Sequence, residues 1–365
     1  MSSLVLKNLA LDQGAEKVIY DLSATMHSGI NLLIGPTLAG KTTLMRIIAG
    51  LVKPTAGSFE LDGKDLTNLP MKKRSVSFVY QQFINYPSLS VFDNIASPLK
   101  VSAEKQSKEQ IADRVEKMAK LLGLTNFLLR KPSELSGGQQ QRVAIARALA
   151  RQAEIVLLDE PLANLDYKLR EQLRAELQSI FSAEKAIVIY STAEPSEALD
   201  FATQTFVMNE GKLIQEGKAL DVYQSPANLE AATAISDPPL NIIRSKIEGN
   251  RASVDGLTFN IPQSNSAKIN NAEIFLGIQP GKITLSPESS NSVSLDTHVE
   301  LSEVTGSSTF IHVKLKSGEL IVVEVNGAKN FELDQKMKVY FEPSDLYGFD
   351  AQSEESIFFP SAAVN

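Results

Sequence analysis

The feature that most constrains the fold is a glycine-rich loop between an apolar run, residues 31–34, and a helical run, residues 44–49. The loop has the pattern G-x-x-x-x-G-K-T, which requires a buried strand, a tight turn and a helix in that order. Backbone N–H groups at the start of such a helix attract phosphate oxygens. The pattern therefore predicts an α/β fold with a phosphate-binding loop. The loop residues are Gly35, Pro36, Thr37, Leu38, Ala39, Gly40, Lys41, Thr42 and Thr43.

Residues of this loop have distinct predicted tasks. Gly35 and Gly40 permit the tight backbone path, while Lys41 reaches the β and γ phosphates of a nucleotide. The hydroxyl of Thr42 is predicted to bind Mg²⁺. The alternative is an ordinary glycine turn followed by an exposed lysine. The strand before the loop and the helix after it favour phosphate binding.

Two neighbouring carboxylates, Asp159 and Glu160, follow the continuous apolar run 155–158. Such a run is typical of a buried strand, and the carboxyl ends of strands in α/β sheets open onto the ligand. We expect Asp159 to hold Mg²⁺ through water, and Glu160 to orient or polarise the attacking water. Alone, the pair would indicate a solvated turn, but a phosphate loop in the same chain favours the metal site.

A second glycine-containing turn precedes a predicted helix that carries Arg142 and Arg147. A serine and two glycines before a helix form another N-terminus suited to phosphate. Since one nucleotide needs only one phosphate loop, we expect this turn to complete a site in another subunit, with the nucleotide between two copies of the domain. The alternative is a flexible turn. The residues of the turn are Ser136, Gly137, Gly138 and Gln139.

The chain divides into two predicted domains, residues 1–235 and 236–365. In the first, strand patterns alternate with helical patterns, which predicts a mostly parallel sheet covered by helices. Apolar residues at helical spacing predict one helix over 169–181 and an inserted helical segment over 111–122. Adjacent prolines near residue 238 suit a linker, and the short alternating segments that follow predict a small all-β domain.

Composition excludes several other classes of protein. The 365 residues carry a net charge of −7, which argues against nucleic acid as the main partner. The absence of cysteine excludes disulfides, thiolate zinc sites and thiol nucleophiles. No run approaches the roughly 20 apolar residues of a membrane span, and the first residues have no export-signal pattern. A role at a membrane would therefore require other subunits.

Together these motifs resemble the nucleotide-binding subunits of ABC transporters, specifically the maltose and glycerol-phosphate importer type. Residues 35–42 are similar to the Walker A loop, 135–139 to the signature, 155–160 to the Walker B strand and 164–166 to the D-loop. Gln81 matches the Q-loop glutamine, which in this family touches Mg²⁺ and senses the membrane subunit. The resemblance implies a P-loop domain with a RecA-like core and a helical subdomain, and ATP and Mg²⁺ as cofactors. It also implies an ATPase that acts as a translocase, with Glu160, Lys41 and Gln81 catalytic and Asp166 at the nucleotide.

The resemblance extends to partners and to the C-terminal domain. It implies a second ATPase subunit, two transmembrane permease subunits and, indirectly, an extracytoplasmic substrate-binding protein, on the cytoplasmic side of the cell membrane. Residues 83–98 resemble the stretch that receives a permease coupling helix, with an ordinary core segment as the alternative. Residues 276–280 and 299–306 look like the OB-fold-type (TOBE) regulatory domain of these importers. A soluble ABC ATPase acting on DNA or the ribosome would carry basic clusters, a coiled-coil insertion or tandem cassettes, which this chain lacks.

The sequence departs from the family pattern at the position of a histidine that contacts the γ-phosphate, where Ala193 stands. Alanine cannot hydrogen-bond a phosphate, so this site is expected to bind ATP better than it hydrolyses it. Gln13 replaces an adenine-stacking aromatic, although Tyr20 lies nearby, and Leu38 replaces a small residue. We therefore expect a heterodimer with an impaired own site; a slow homodimer and a mainly regulatory subunit are the alternatives. The combination of residues 35–42, 80–87 and 193–198 is similar to ATPase subunits of glycerol importers.

Overall fold

The computed structural model describes residues 2–101, 106–163, 165, 167–183, 186–201, 204–262 and 273–360. Contacts between residues divide the chain into two compact units, Met1–Ala219 and Leu220–Asn365. The first unit has α/β architecture and the second consists mainly of strands. The predicted fold class, a P-loop domain followed by an all-β domain, is confirmed. The functional boundary at residue 235 stays a prediction.

Strands of the first unit form two sheets. They are β1 (Ser3–Gln13), β2 (Glu16–His27), β3 (Gly29–Ile34), β4 (Ala56–Leu61), β5 (Lys64–Asp65), β6 (Val76–Val79), β7 (Ile155–Asp159), β8 (Ile187–Thr192), β9 (Gln204–Asn209) and β10 (Lys212–Gly217). Helices of this unit lie between them in the chain. They are α1 (Lys41–Ala49), α2 (Val91–Lys100), α3 (Lys108–Leu121), α4 (Gly137–Ala150), α5 (Tyr167–Ala183) and α6 (Pro195–Phe201).

The N-terminal sheet is antiparallel, with strand order β2-β1-β4-β5. The sequence pattern predicted a mostly parallel sheet and did not reveal this separate layer. The pairing of β1 with β2 has a local cause. Only two residues separate these strands, and so short a turn can join antiparallel strands but not parallel ones. Leu4 and Leu6 of β1 and Phe59 of β4 are buried against the core.

The second sheet has the order β10-β9-β3-β8-β7-β6, and the strands from β9 to β6 run parallel. Helix α1 contributes Leu44, Ile47 and Ile48 to a core that also contains residues of both sheets. This order brings the carboxyl ends of β3, β7 and β8 to one edge. Ligands of open α/β sheets bind at that edge.

Helices α2, α3 and α4 form the helical part of the first unit. Arg114 of α3 donates from Nη2 to the Leu149 carbonyl at 2.7 Å, which satisfies a carbonyl in the last turn of α4. Arg142 of α4 donates to the Leu122 carbonyl at 3.3 Å, just past the end of α3. The predicted helix over 111–122 corresponds to α3, which ends at Leu121. The Leu121 side chain is exposed.

The second unit consists of two antiparallel sheets with a shared core of aliphatic and aromatic residues. Strand order is β13-β12-β11-β14-β20-β21 in one sheet and β15-β19-β16-β17-β18 in the other. The strands are β11 (Asn241–Glu248), β12 (Arg251–Val254), β13 (Leu257–Asn260), β14 (Glu273–Ile278), β15 (Ile283–Thr284), β16 (Val293–Val304), β17 (Ser308–Lys314), β18 (Leu320–Asn326), β19 (Lys336–Phe341), β20 (Tyr347–Asp350) and β21 (Ser356–Phe358). Helices α7 (Ala219–Gln224) and α8 (Leu229–Ala234) precede the sheets in the chain.

Among the described helices, none has both the length and the apolar character that crossing a bilayer requires.

Candidate functional site

The glycine loop joins β3 to α1 at the carboxyl edge of the parallel sheet. Gly35 must be glycine, because a Cβ there would lie 2.0 Å from the Met208 carbonyl oxygen. Gly40 caps α1 in a left-handed conformation and has no side chain to accept hydrogen bonds from the first N–H groups of the helix. The first N–H groups of α1 therefore remain available to an anion. Unpaired N–H groups of this kind bind phosphate at the N-termini of other helices. Leu38 also has a positive φ of 72°, and its side chain is 94% exposed.

The Lys41 side chain folds back over this loop. Its Nζ donates to the carbonyls of Gly35 at 2.6 Å and Pro36 at 3.0 Å, and it lies 3.5 Å from Glu160 Oε1. Burial lowers the pKa of the Lys41 ammonium, and the Glu160 and Asp159 carboxylates act in the opposite direction. The ammonium is thus held at the centre of the loop between backbone oxygens and a carboxylate.

Asp159, the last residue of β7, connects three elements. Its Oδ1 accepts hydrogen bonds from the Thr42 hydroxyl at 3.0 Å and from the Ser191 hydroxyl at 2.8 Å. Thr42 comes from α1 and Ser191 from β8, so both elements bear on one buried carboxylate. The sequence motifs had predicted Thr42 and Asp159 together. They did not reveal Ser191, whose only signal is its place near the end of the strand after Asp159.

Glu160 stands next to Asp159 with a positive φ of 43°. Its Oε2 accepts a hydrogen bond from Gln81 Nε2 at 2.7 Å, and its Oε1 faces the Lys41 ammonium. Gln81 follows β6, on the far side of β7 from β3. The three residues predicted to be catalytic, Lys41, Gln81 and Glu160, therefore lie together.

This donor set fits Mg²⁺ with a nucleotide. In the described parts of the chain, no group of three or more histidine, cysteine or acidic residues could hold a metal by itself. Mg²⁺ commonly binds one or two carboxylates together with substrate phosphates and water. Asp159 and the Thr42 hydroxyl supply hard oxygen ligands beside a loop with open N–H groups, which matches that chemistry.

The second glycine turn lies at the start of α4. The Ser136 hydroxyl accepts from the Gln139 N–H at 3.3 Å, and Gln139 Oε1 accepts from the Ser136 N–H at 3.0 Å, which forms a capping box. Ser136 and Gly137 are exposed, while Gly138 is buried. A Cβ on Gly137 would meet no atom within 4 Å. None of the described hydrogen bonds joins this turn to Lys41, Asp159 or Glu160.

The remaining predicted positions are placed as follows. Pro36 and Thr37 are exposed, Ala39 is buried, and Thr43 is half-buried in the first turn of α1. Asp166 lies outside the described residues. Ala193 is exposed directly after β8, at the same edge as Asp159. The three histidines lie elsewhere, His27 at the end of β2 and His298 and His312 on β16 and β17.

Tyr20 lies beside the phosphate loop although Gln13 is the aligned position. The Tyr20 N–H donates to the Gly211 carbonyl at 2.9 Å, and the Gly211 N–H donates to the Ala39 carbonyl at 3.0 Å. The aromatic ring has the ammonium groups of Lys17 and Lys212 at 5.3 and 5.5 Å from its centroid. An aromatic side chain near the loop is thus supplied by β2.

The segment of residues 81–86, here called the Gln81 segment, is bonded to helix α4. Asn85 Nδ2 donates to the Gln140 carbonyl at 2.8 Å, and Arg147 Nη2 donates to the Ile84 carbonyl at 2.5 Å. The Arg147 guanidinium also lies 5.0 Å from the centroid of the Tyr86 ring. The segment therefore contacts Glu160 at one end and α4 at the other.

A groove of about 490 Å³ is lined by residues of α1, β6, α2 and α4, together with Tyr86 of this segment. Its walls are largely apolar, with Arg147 and Arg151 among its polar lining residues. Four of its lining residues are large, apolar and exposed: Leu51, Met71, Tyr86 and Val101. A concave apolar surface with cationic groups suits an amphipathic segment of a partner.

Comparisons with known proteins agree with this geometry. A family model described as "ABC transporter" matches residues 19–163, and one described as "TOBE domain" matches residues 276–349. The chain is 36% identical to the uncharacterized ABC transporter ATP-binding protein YcjV of Escherichia coli O6:H1, over 89% of this chain and 91% of that protein. It is 36% identical, with the same coverage, to the multiple sugar-binding transport ATP-binding protein MsmK of Streptococcus mutans serotype c.

Among solved structures, the chain is similar to the dimeric ATP-binding cassette MJ0796 in a post-hydrolysis state with ADP and Pi. The TM-score is 0.54 at 30% sequence identity, over 59% of this chain and 98% of the MJ0796 chain.

Proposed function

Because the chain belongs to the family of ABC transporter ATP-binding proteins, we propose that it couples ATP binding and hydrolysis to import of a small polyol or carbohydrate. The observation that carries this proposal is the Lys41, Asp159 and Glu160 cluster at a glycine loop, together with a separate, exposed Ser136 turn. The first is a nucleotide site and the second is half of one. The chain would act from the cytoplasmic side of the membrane, as a peripheral subunit.

In the proposed mechanism, the open N–H groups of the loop and the Lys41 ammonium bind the β and γ phosphates of ATP. Lys41 would exchange its bonds to the Gly35 and Pro36 carbonyls for phosphate oxygens. Thr42 and Asp159 would hold Mg²⁺, with Gln81 close to it. When bound, Mg²⁺ supplies charge neutralisation at the phosphates. Glu160 would orient the attacking water and accept its proton.

A second copy of this kind of domain completes the site. Its Ser136 turn would meet the phosphates bound at the first chain's loop, and Asp166 would lie near the shared nucleotide. The exposed turn supports this arrangement because its described bonds are internal to the cap. MJ0796, a similar cassette, is a dimer. We expect the chain and its partner ATPase subunit to associate when ATP is added, which analytical ultracentrifugation measures.

We propose that the partner is a different ATPase subunit and that the chain's own site is impaired. Ala193 supports this, because its methyl group offers the γ-phosphate no hydrogen bond. An intact Ser136 turn could still serve the active site of the partner. Robust ATP turnover by the purified chain alone would contradict the heterodimer with an impaired site and favour the homodimer.

The groove near Arg147 is the proposed docking surface for a permease coupling helix. Its apolar walls and cationic groups suit an amphipathic helix, and the Gln81 segment beside it reaches Glu160. Binding of the permease would therefore be felt at the nucleotide site.

Two observations support the proposed cargo, one for its chemical class and one for the particular compound. MsmK is named as a multiple sugar-binding transport protein, which supports a carbohydrate or polyol. The similarity of residues 35–42, 80–87 and 193–198 to ATPase subunits of glycerol importers supports glycerol as the cargo. Uptake of labelled glycerol, glycerol phosphate and maltose by cells with and without the gene would separate the cargoes. Loss of glycerol uptake alone is the expected result.

A mainly regulatory subunit is the second candidate, and Ala193 favours it. In that case nucleotide binding at this chain tunes a transporter that the partner drives. The Lys41→Ala variant separates the two, because it abolishes transport if the own site is required and only reduces it if the site is regulatory. We assign nucleotide chemistry to residues 1–235 and regulation to the all-β domain, 236–365.

A further inference from the structure

Ser191 lies near the carboxyl end of β8, in a strand otherwise rich in isoleucine and valine. It is fully buried and stands directly opposite Asp159 in the parallel register of β7 and β8. A buried hydroxyl is costly unless it is hydrogen-bonded. Ser191 is therefore a polar position in an apolar strand, and its partners indicate why.

Both described bonds of the Ser191 hydroxyl go to the two acidic residues. It donates to Asp159 Oδ1 at 2.8 Å and accepts from the Glu160 N–H at 3.0 Å. The Thr42 hydroxyl donates to the same Oδ1 at 3.0 Å. Two donors on one oxygen fix the carboxylate plane and leave Oδ2 as the oxygen for a metal ion or its water.

Ser191 also acts on the backbone of Glu160. This residue has a positive φ of 43°, a conformation that side-chain-bearing residues seldom adopt. Its N–H is shared between the carbonyl oxygen of Ser191 at 3.2 Å and the Ser191 hydroxyl. Ser191 thus bonds the backbone of the strained turn that aims the Glu160 carboxylate at Lys41 and Gln81.

We propose that Ser191 is a positioning residue that orients Asp159 and Glu160 together for the Mg²⁺-nucleotide complex. This inference rests on the proposed ATP site and adds to it a residue without direct contact to the nucleotide. Hydrogen-bond partners of metal ligands set ligand orientation, and their loss typically weakens metal binding by about 10- to 100-fold.

The test is binding of a fluorescent ATP analogue to the full-length chain, titrated with Mg²⁺. In Ser191→Ala, we expect the Mg²⁺ concentration at half-effect to rise about tenfold or more. Affinity without Mg²⁺ should stay near the wild-type value, because Lys41 and the loop are untouched. Ser191→Thr keeps the hydroxyl and should restore most of the Mg²⁺ response.

Thr205→Val is the matched control. Thr205 is fully buried in β9 of the same sheet, and its hydroxyl has no described partner. This substitution removes a buried hydroxyl without touching either carboxylate, so the Mg²⁺ response should be unchanged. A shift equal to that of Ser191→Ala would show that any lost hydroxyl loosens the sheet, and would overturn the inference.

Outcomes for Ser191 and for the ATP site are distinguishable. If the wild-type chain binds the analogue with a clear Mg²⁺ effect and Ser191→Ala behaves identically, the positioning role is wrong while the ATP site stands. If the wild-type chain binds no analogue at all, the proposed function itself is wrong. Should Ser191→Ala fail to fold, Ser191→Cys decides, because it keeps the volume but hydrogen-bonds weakly.

Discussion

The two turns proposed to bind phosphate differ in how many contacts they make with the rest of the chain. In the loop at Gly35–Thr42, Thr42 bonds to Asp159 and Lys41 pairs with Glu160. These two acidic residues bond in turn to Ser191 of β8 and to Gln81. Among the described residues, the side-chain hydrogen bonds of Ser136 and Gln139 stay within the cap, and Ser136 and Gly137 are exposed. In terms of the proposed function, the chain would supply most of one nucleotide site and a single turn to another.

This difference in contacts separates the properties of the single chain from those of the assembly. An organised loop with a buried ammonium can bind nucleotide without a partner, since its charges are already positioned. An exposed helix N-terminus offers only a dipole and a hydroxyl, which become useful when a second molecule brings the phosphates. Substitutions at the loop should therefore act on the single chain, and substitutions at the turn only on the assembly.

The largest effect is expected for Lys41→Ala, which removes the ammonium of the organised site. Hydrogen bonds to charged groups contribute about 1.5–3 kcal/mol each, so loss of the phosphate contacts should weaken ATP binding by about 100-fold. Equilibrium binding of a fluorescent ATP analogue to the single chain measures it. Lys72→Ala, at an exposed lysine, is the control. Equal ATP affinity of Lys41→Ala and wild type would show that the Lys41 ammonium does not bind the phosphates in the single chain.

The second effect concerns the imidazole that the organised site lacks. A positioned acid, base or charge-stabilising group contributes about 10²–10⁴ in rate, so Ala193→His should raise ATP turnover by about 100-fold. Ala193 is exposed at the correct edge, which leaves room for the ring. Phosphate release from wild type and variant under identical conditions is the readout. An unchanged rate would mean that turnover is limited elsewhere, for example by the missing partner subunit.

A smaller effect is expected at the isolated turn. Ser136→Asp keeps a good helix cap but places a negative charge against incoming phosphate. ATP binding by the single chain should not change, while turnover of the dimer should fall about tenfold from lost hydrogen bonding and added repulsion.

Ser107→Asp controls for the capping chemistry. Ser107 begins α3 with the same kind of capping box, which it forms with Gln110. It should leave both binding and turnover at wild-type values. If Ser136→Asp weakened ATP binding by the dilute single chain, the turn would belong to the chain's own site and the contrast between the two turns would fail.

The smallest effect is expected at Leu38, within the organised loop. A left-handed backbone costs a branched, non-glycine residue about 1–2 kcal/mol, and asparagine tolerates it better. Because the Leu38 side chain is almost wholly exposed, its replacement loses little packing. Leu38→Asn should therefore raise the thermal midpoint by about 2–4 °C for a unit of this size. A lower midpoint would show that the Leu38 side chain stabilises the folded chain despite its exposure.

Sequence patterns predicted the loop, the acidic pair and the Ser136 turn because each signal is local. A glycine pattern between strand and helix, two acids after an apolar run, and a capping residue before a helix need no knowledge of distant residues. The antiparallel layer of β1, β2, β4 and β5 escaped prediction because β4 pairs with β1 although β2, β3 and α1 lie between them in the chain, and such distant pairing leaves no local signal.

By itself, the sequence determined which chemical groups are present: an ammonium, two carboxylates, a hydroxyl, and no histidine at position 193. Only the tertiary structure decided which of them meet. Ser191 reaches Asp159 because β8 lies between β3 and β7, although 32 residues separate the two positions. Strand order results from the packing of the whole core, and no short stretch of sequence encodes it.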